Sequence, residues 1–462
     1  MTVAYSPALP MRTERTLFGH PIGLVYIVFT EAWERFSFYG MQGLLVLYMA
    51  NHLLHPGVVE TVSGFAAFRA VLESVFGPLT THALATQIFG LYGGFIYLMP
   101  VFGGLAGDRW LGRRRAVMLG AGLMAFGHFL MAIEGAFLFA LLTLIIGCGF
   151  LKGNIAAQVG DLYAREDRRR DSAYSVYYLA INVGAAVAPL ICGTLGELYG
   201  WHYGFGAAGI GMLIGLVIYI AGRNHLPADP VVDKHAAPTR LSASDKRAIA
   251  GLLVVLAISI LFWTAQAQVW NTYVLWVQDR LDRSFLGLTV PVTWFQSLDS
   301  FAVLALAPLM LWFWRAQARR GAEPGDLVKI ALGCAIFGCA CFCLGLAEFV
   351  TTGAKVPLLW AVAFHFICAS GYLYVAPVSL ALFSRAAPPS VNAMMVGIYY
   401  VSIFAGSVAS GWLGRFYQEI PTSLFWSLHG AIVASAAIVI VVAYKPLVSV
   451  LQLRREEERA AG

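Results

Sequence analysis

The chain has 462 residues, of which 59% are hydrophobic and only 12% charged, a balance that excludes an ordinary soluble globular domain. Its net charge of +6 does not point to nucleic acid, because in a membrane protein an excess of Lys and Arg sets the orientation of the loops. At about 35 to 40 residues per spanning helix and loop, the length suits one all-α integral membrane protein of about a dozen helices, with no separate soluble module.

The first 19 residues carry Arg12 and Arg15 but no apolar core followed by a cleavage site, so they read as a short cytoplasmic tail and not a signal peptide. Apolar runs then predict twelve helices, over 21–51, 81–107, 114–133, 136–162, 172–198, 203–222, 247–277, 286–314, 327–350, 356–383, 390–417 and 423–450. The loop 52–80 carries an apolar stripe, Val62, Phe65, Phe68, Ala70 and Val71, that predicts a short amphipathic helix. A second long loop, rich in Pro, Ala, Asp and Lys, divides the chain into a six-helix half at 1–222, a linker at 223–246 and a second half at 247–462. Twenty-four of the 31 Lys and Arg residues fall in loops on one side and five on the other; this asymmetry predicts that both termini are cytoplasmic. The seven cysteines all lie in apolar runs. Their odd number and placement argue against a disulfide framework, and Cys339, Cys341 and Cys343 are spaced for packing and not for a metal.

The remaining two cations, Arg35 and Lys152, fall inside predicted spans. Arg35 belongs to Glu31-Ala32-Trp33-Glu34-Arg35-Phe36-Ser37-Phe38-Tyr39-Gly40, which sets three charges in an otherwise apolar run. Each charge near the centre of a span costs about 2.5 to 3.5 kcal/mol. The spacing i, i+3, i+4 puts Glu31, Glu34 and Arg35 on one helical face, where they neutralise one another in part. Such groups mark a pathway or lock helices together. Lys152 needs a carboxylate partner, for which Glu31 and Glu34 are the candidates. Burial raises a carboxyl pKa and a nearby cation lowers it, so moving either cation would switch proton affinity.

After the second predicted helix comes Gly104-x-x-x-Asp108-Arg109-x-x-Gly112-Arg113-Arg114. This stretch resembles the cytoplasmic loop signature of the major facilitator superfamily, with Asp108, Arg109 and Arg113 as a conformational latch. An ordinary positive-inside loop is the alternative. Glu31-x-x-Glu34-Arg35-Phe36-x-x-Tyr39 resembles the first-helix signature of the proton-dependent oligopeptide transporter family. Further segments agree with that family: Tyr97 before Pro100, Gly147-x-Gly149-x-x-Lys152-x-Asn154, Tyr177-Tyr178-x-x-Ile181-Asn182-x-Gly184, Phe262-Trp263 with Gln268, and Phe295-Gln296-Ser297.

The resemblance implies a major facilitator fold of twelve helices in two six-helix bundles. It implies a proton-coupled symporter of di- and tripeptides, with protons as coupling ion, no cofactor, no metal and no enzymatic activity. A monomer in a bacterial inner membrane is the expected setting. Glu31, Glu34, Arg35 and Lys152 would form the proton-coupling cluster. Substrate would meet Arg35, Tyr39, Gln42, Tyr97, Lys152, Asn182, Trp263, Gln268, Gln296, Asp299, Tyr372 and Tyr399.

The chain departs from the family at Phe38 and Gln42 on the first helix, Ala267 on the seventh, Tyr372 on the tenth and Tyr399 on the eleventh. These changes remove the usual counter-charge for a peptide's amino group. Asp299 stands where the family commonly has asparagine; it takes over amine recognition, serves as a second proton site, or is a capped acid near an irregular turn. The departures leave open another organic or anionic substrate, or a sensor that binds without flux. His128, His365 and His429 read as core residues and receive no role.

Overall fold

The computed structural model describes residues 16–164, 167–227, 229 and 241–451. The tail before Thr16, most of the linker, including Lys234 and Arg240, and the basic end at Arg454, Arg455 and Arg459 lie outside the described residues.

The first half comprises α1 (Ile22–Tyr48), the short α2 (Phe65–Phe76), α3 (Thr81–Ala106), α4 (Arg113–Leu130), α5 (Phe137–Asp161), α6 (Arg169–Ala188), α7 (Thr194–Tyr199) and α8 (Trp201–Gly222). The second comprises α9 (Ala243–Ala267), α10 (Thr272–Arg280), α11 (Trp294–Arg319), α12 (Asp326–Thr351), α13 (Leu358–Ala386), α14 (Asn392–Gly414) and α15 (Thr422–Val442). Two pairs are single spans with an irregular joint. Between α6 and α7 the joint is a π-turn at Pro189–Gly193, where Pro189 has no N–H to continue the ladder. Between α9 and α10 it is a 3-10 turn at Gln268–Trp270 followed by Asn271. That makes twelve spans in two six-helix bundles. Ten stretches are long and apolar enough to cross a membrane among the described residues. The other two long helices, α1 and α4, carry Glu31, Glu34 and Arg35, and Arg113 to Arg115.

The amphipathic α2 forms as its stripe predicts, with Phe65 and Leu72 buried. Outside the bilayer, Glu73 accepts from the Leu79 amide and from Arg69, which holds its carboxyl below the usual range. The eighth span starts later than its apolar run suggests. Ser284–Phe285 and Leu288–Thr289 form a two-stranded hairpin, turned by Leu286 and Gly287 with φ of 50° and 78°, so the helix begins at Trp294.

Within the first half α1 packs on α6 and α8, and α5 on α3 and α4; within the second α12 packs on α13 and α15, and α9 on α14. The halves meet along α3 and α14, α6 and α11, and α1 and α10. Small residues permit the first of these approaches. A Cβ at Gly90 would fall 2.5 Å from the Ser407 carbonyl oxygen and 2.8 Å from Gly411 Cα.

Candidate functional site

Gly184 of α6 brings that helix onto the acidic turn of α1, where a Cβ would fall 2.9 Å from the Cβ of Arg35. Arg35 Nε donates to Glu31 Oε1 at 2.7 Å and lies 3.0 Å from Glu34 Oε2. Both carboxylates are fully buried. The second oxygen of Glu31 and both oxygens of Glu34 have no hydrogen-bond partner among the described residues. One guanidinium therefore faces two acids, and the surplus charge requires a proton or a second cation.

Lys152 is that second cation, but it is not hydrogen-bonded to either acid. Its ammonium sits 3.8 Å from the centroid of the Phe38 ring and 5.2 Å from that of Tyr97, and it has no hydrogen-bond partner among the described residues. The direct Glu–Lys contact expected from the sequence is thus replaced by a cation–π contact, worth about 2 kcal/mol when desolvated.

A cavity of about 510 Å³ lies between the halves. Of the residues expected to meet substrate, Arg35, Tyr39, Gln42, Tyr97 and Asn182 line it from the first half, and Trp263, Asp299, Tyr372 and Tyr399 from the second. Trp263 Nε1 donates to the Tyr399 hydroxyl at 3.3 Å, and Tyr39 packs on Trp270 with centroids 5.0 Å apart. The cavity therefore presents a guanidinium on one wall and a carboxylate on the other, between aromatic faces.

Three expected contacts fall outside this lining. Lys152 lies behind Phe38. Gln268, in the 3-10 turn, donates to the Ser410 carbonyl at 3.0 Å and meets His429 Nε2 at 2.9 Å, which ties it into the packing of α14 and α15. Gln296 is fully buried in the first turns of α11. Sequence reasoning passed over Tyr178, Gln266, Trp270 and Tyr400, which do line the cavity. Tyr178 was legible as the neighbour of Tyr177 in the α6 motif; the 3-10 turn that presents Trp270 was not. A second acid lies within the helices of the second half. Glu348 near the end of α12 is buried, pairs with Arg280 at 2.9 Å and accepts from Trp276 Nε1 at 2.6 Å.

At one end of the bundle, the motif after α3 winds into a π-turn at Gly107–Leu111. Arg113 Nε donates to Asp108 Oδ1 at 2.9 Å and its Nη1 donates to Asp161 at the end of α5. Arg109 is exposed and has no ion pair among the described residues. Of the latch residues, Asp108 and Arg113 thus engage each other within the first half and Asp161 joins them, whereas Arg109 stands outside the pair.

At the opposite end the halves are tied together. Glu197 of α7 accepts from the backbone N–H of Val292 and Thr293, each at 2.8 Å, and from the Thr293 hydroxyl at 2.7 Å, at the start of α11. Asn51 and Gln278 exchange amide hydrogen bonds, and Arg415 donates to the Phe76 carbonyl at 2.7 Å. Hydrogen bonds to a charged group contribute about 1.5 to 3 kcal/mol. Glu197→Ala is expected to weaken this closure by about 2 kcal/mol, a shift of about thirtyfold in the closed-to-open ratio. Double electron–electron resonance between labels at Ser63 and Leu286, with Cys339 and Cys343 replaced by Ser, measures it. An unchanged distance distribution would refute the assignment.

A family model described as the POT family matches residues 114–239 and 230–432. The chain belongs to the POT family. It is 28% identical to the Peptide transporter YePEPT of Yersinia enterocolitica subsp. palearctica, over 92% of this chain and 94% of that one. It is equally 28% identical to the Uncharacterized transporter YclF of Bacillus subtilis (strain 168), over 91% and 92% of the two chains. A crystal structure of a mutant peptide transporter POT in complex with alafosfalin superposes with a TM-score of 0.83 at 27% identity, covering 95% of this POT member and 97% of that chain. These relatives are transporters and not enzymes. The POT member is a multi-pass membrane protein with the major facilitator fold.

Proposed function

We propose that this POT member is a proton-coupled symporter that imports di- and tripeptides by alternating access of its two halves. The observation that carries the reading is the cavity between the halves, with Arg35 on one wall and Asp299 on the other. A zwitterionic peptide would place its carboxylate at Arg35 and its ammonium at Asp299, with the aromatic faces taking side chains of varied size. Glu31 and Glu34 would hold the coupling proton, and Lys152 would move between Phe38 and Glu34 as the carrier cycles. That movement lets protonation report on conformation.

The excess of basic loops supports a cytoplasmic location for both termini in a bacterial-type inner membrane. The end tied by Glu197 and Thr293 is then the outer one, and the carrier is closed on that side. The linker at 223–246 joins the halves on the cytoplasmic side, and the protein acts as a monomer.

Uptake of labelled dipeptides into proteoliposomes with an imposed pH gradient, inside alkaline, tests the proposal. Saturable, gradient-driven accumulation is the expected result. Its absence across a panel of di- and tripeptides would refute the peptide reading, and binding without flux would mark a sensor. Uptake of another small organic acid or amine in place of peptides would assign the changed positions Gln42, Ala267 and Tyr372 to a different substrate class.

A further inference from the structure

Behind Asp299 lies a group for which the transport cycle described above has no use. His365 of α13 is completely buried, and neither ring nitrogen has a hydrogen-bond partner among the described residues. Its Nδ1 is 3.9 Å from Asp299 Oδ1, an ion-pair separation too long for a hydrogen bond. The other two membrane histidines differ. His429 is hydrogen-bonded through both nitrogens, to Gln268 and to the Phe425 carbonyl, and His128 has no carboxylate within ion-pair distance among the described residues. His365 alone of the three faces an acid. That acid lines the cavity and its side chain retains 19% exposure, so it connects the sealed imidazole with the substrate space.

The charges of the site favour an exchangeable proton at this pair. Glu31, Glu34, Arg35 and Lys152 balance to zero when ionised, which leaves the Asp299 carboxylate in the cavity wall without a Lys or Arg to balance it among the described residues. The groups around the pair supply no alternative proton. Tyr273 of α10 packs edge-on to the His365 ring at 5.0 Å, and Trp426 of α15 packs on Tyr273. Cys368 on the same helix as His365 and Cys341 of α12, which packs on that helix, are buried free thiols. Tyr39 and Tyr178 from the first half, and Tyr372 on the same helix as His365, line the cavity with Asp299. Phenols and thiols ionise near pH 10 and pH 8.5 in water, so both kinds of group keep their protons between about pH 5 and 7. Imidazole is the side chain that changes charge in that range.

Resting on the peptide reading, we propose that Asp299 and His365 form a second proton-exchanging pair, specific for the amino group of the substrate. In the empty carrier His365 is an imidazolium that neutralises Asp299. When a substrate ammonium settles on Asp299, the two cations repel. As the two side chains close from 3.9 Å to hydrogen-bond distance, His365 gives its Nδ1 proton to Asp299 Oδ1, which passes it to water in the cavity. One proton leaves and one ammonium takes its place, so the charge of the pair is unchanged. His365 touches no substrate in this scheme; it tunes Asp299 as a positioning residue.

The test is isothermal titration of the purified full-length protein with Ala-Ala and N-acetyl-Ala-Ala near pH 6, in buffers of different ionisation enthalpy. The buffer dependence of the heat counts protons released on binding. Wild-type protein is expected to release up to about one proton more with Ala-Ala than with the acetylated peptide. In H365Q that difference is expected to vanish, with the midpoint of thermal unfolding reporting that the variant is folded. An equal proton count for the two peptides in wild-type protein would overturn the proposal without recourse to any variant. So would an undiminished difference in folded H365Q. Failure of either peptide to bind the wild type would instead remove the peptide reading on which the pair's role rests.

Discussion

Glu34→Gln is expected to abolish proton-driven uptake of dipeptide, by about a hundredfold or more, while sparing counterflow exchange of peptide across proteoliposomes without a gradient. Glu34 is fully buried, 3.0 Å from Arg35, and neither carboxylate oxygen is hydrogen-bonded among the described residues. Glutamine preserves the shape but cannot bind and release a proton, and it removes a partner from a buried charge cluster, a change of about 3 to 5 kcal/mol. Counterflow needs the carrier to reorient only while loaded, whereas net uptake needs the proton to leave on each cycle. Equal loss of both activities would show that Glu34 merely holds α1 together. Lys152→Gln supplies the complementary arm: with the ammonium above Phe38 gone, net uptake should fall while peptide binding persists.

Asp299→Asn is expected to weaken binding of free-amine dipeptides by about thirtyfold and leave N-acetylated dipeptides unchanged. Truncating one partner of a buried charge pair costs about 2 to 5 kcal/mol, and the lower end applies because the Asp299 side chain is partly exposed. Binding measured by titration for the two peptide forms separates the effects. Equal weakening of both would indicate a disturbed cavity; no weakening of either would place the ammonium elsewhere.

How far each expectation reached depended on whether its physical basis was local. Glu31, Glu34 and Arg35 share a face by helical spacing, and the structure brings them within ion-pair distance. The stripe in the 52–80 loop is likewise a local pattern, and α2 forms from it. Lys152 was recognisable as a cation needing compensation, but its contact with Phe38 required the packing of α5 on α3 and α1. Gln268 shows the opposite failure. It sits beside family-like residues in the sequence, yet a 3-10 turn rotates it toward Ser410 and His429 and turns Trp270 into the cavity. No periodicity in a uniformly apolar span announces such a turn.

Alone, the amino-acid sequence determined the class of molecule: composition demanded a bilayer, run lengths demanded twelve helices, and three ionisable residues on one turn demanded compensation. These follow from the cost of placing charge and unpaired backbone in hydrocarbon, which acts on each segment separately. Only the tertiary structure decided which distant groups meet. It set Asp299 and Arg35 on facing walls, carried Lys152 to Phe38 instead of to a carboxylate, tied Glu197 to the start of α11, and placed His365 behind Asp299. Such pairings depend on helix rotation and on approaches governed by residues such as Gly184 and Gly90, and those are properties of packed surfaces that no single segment contains.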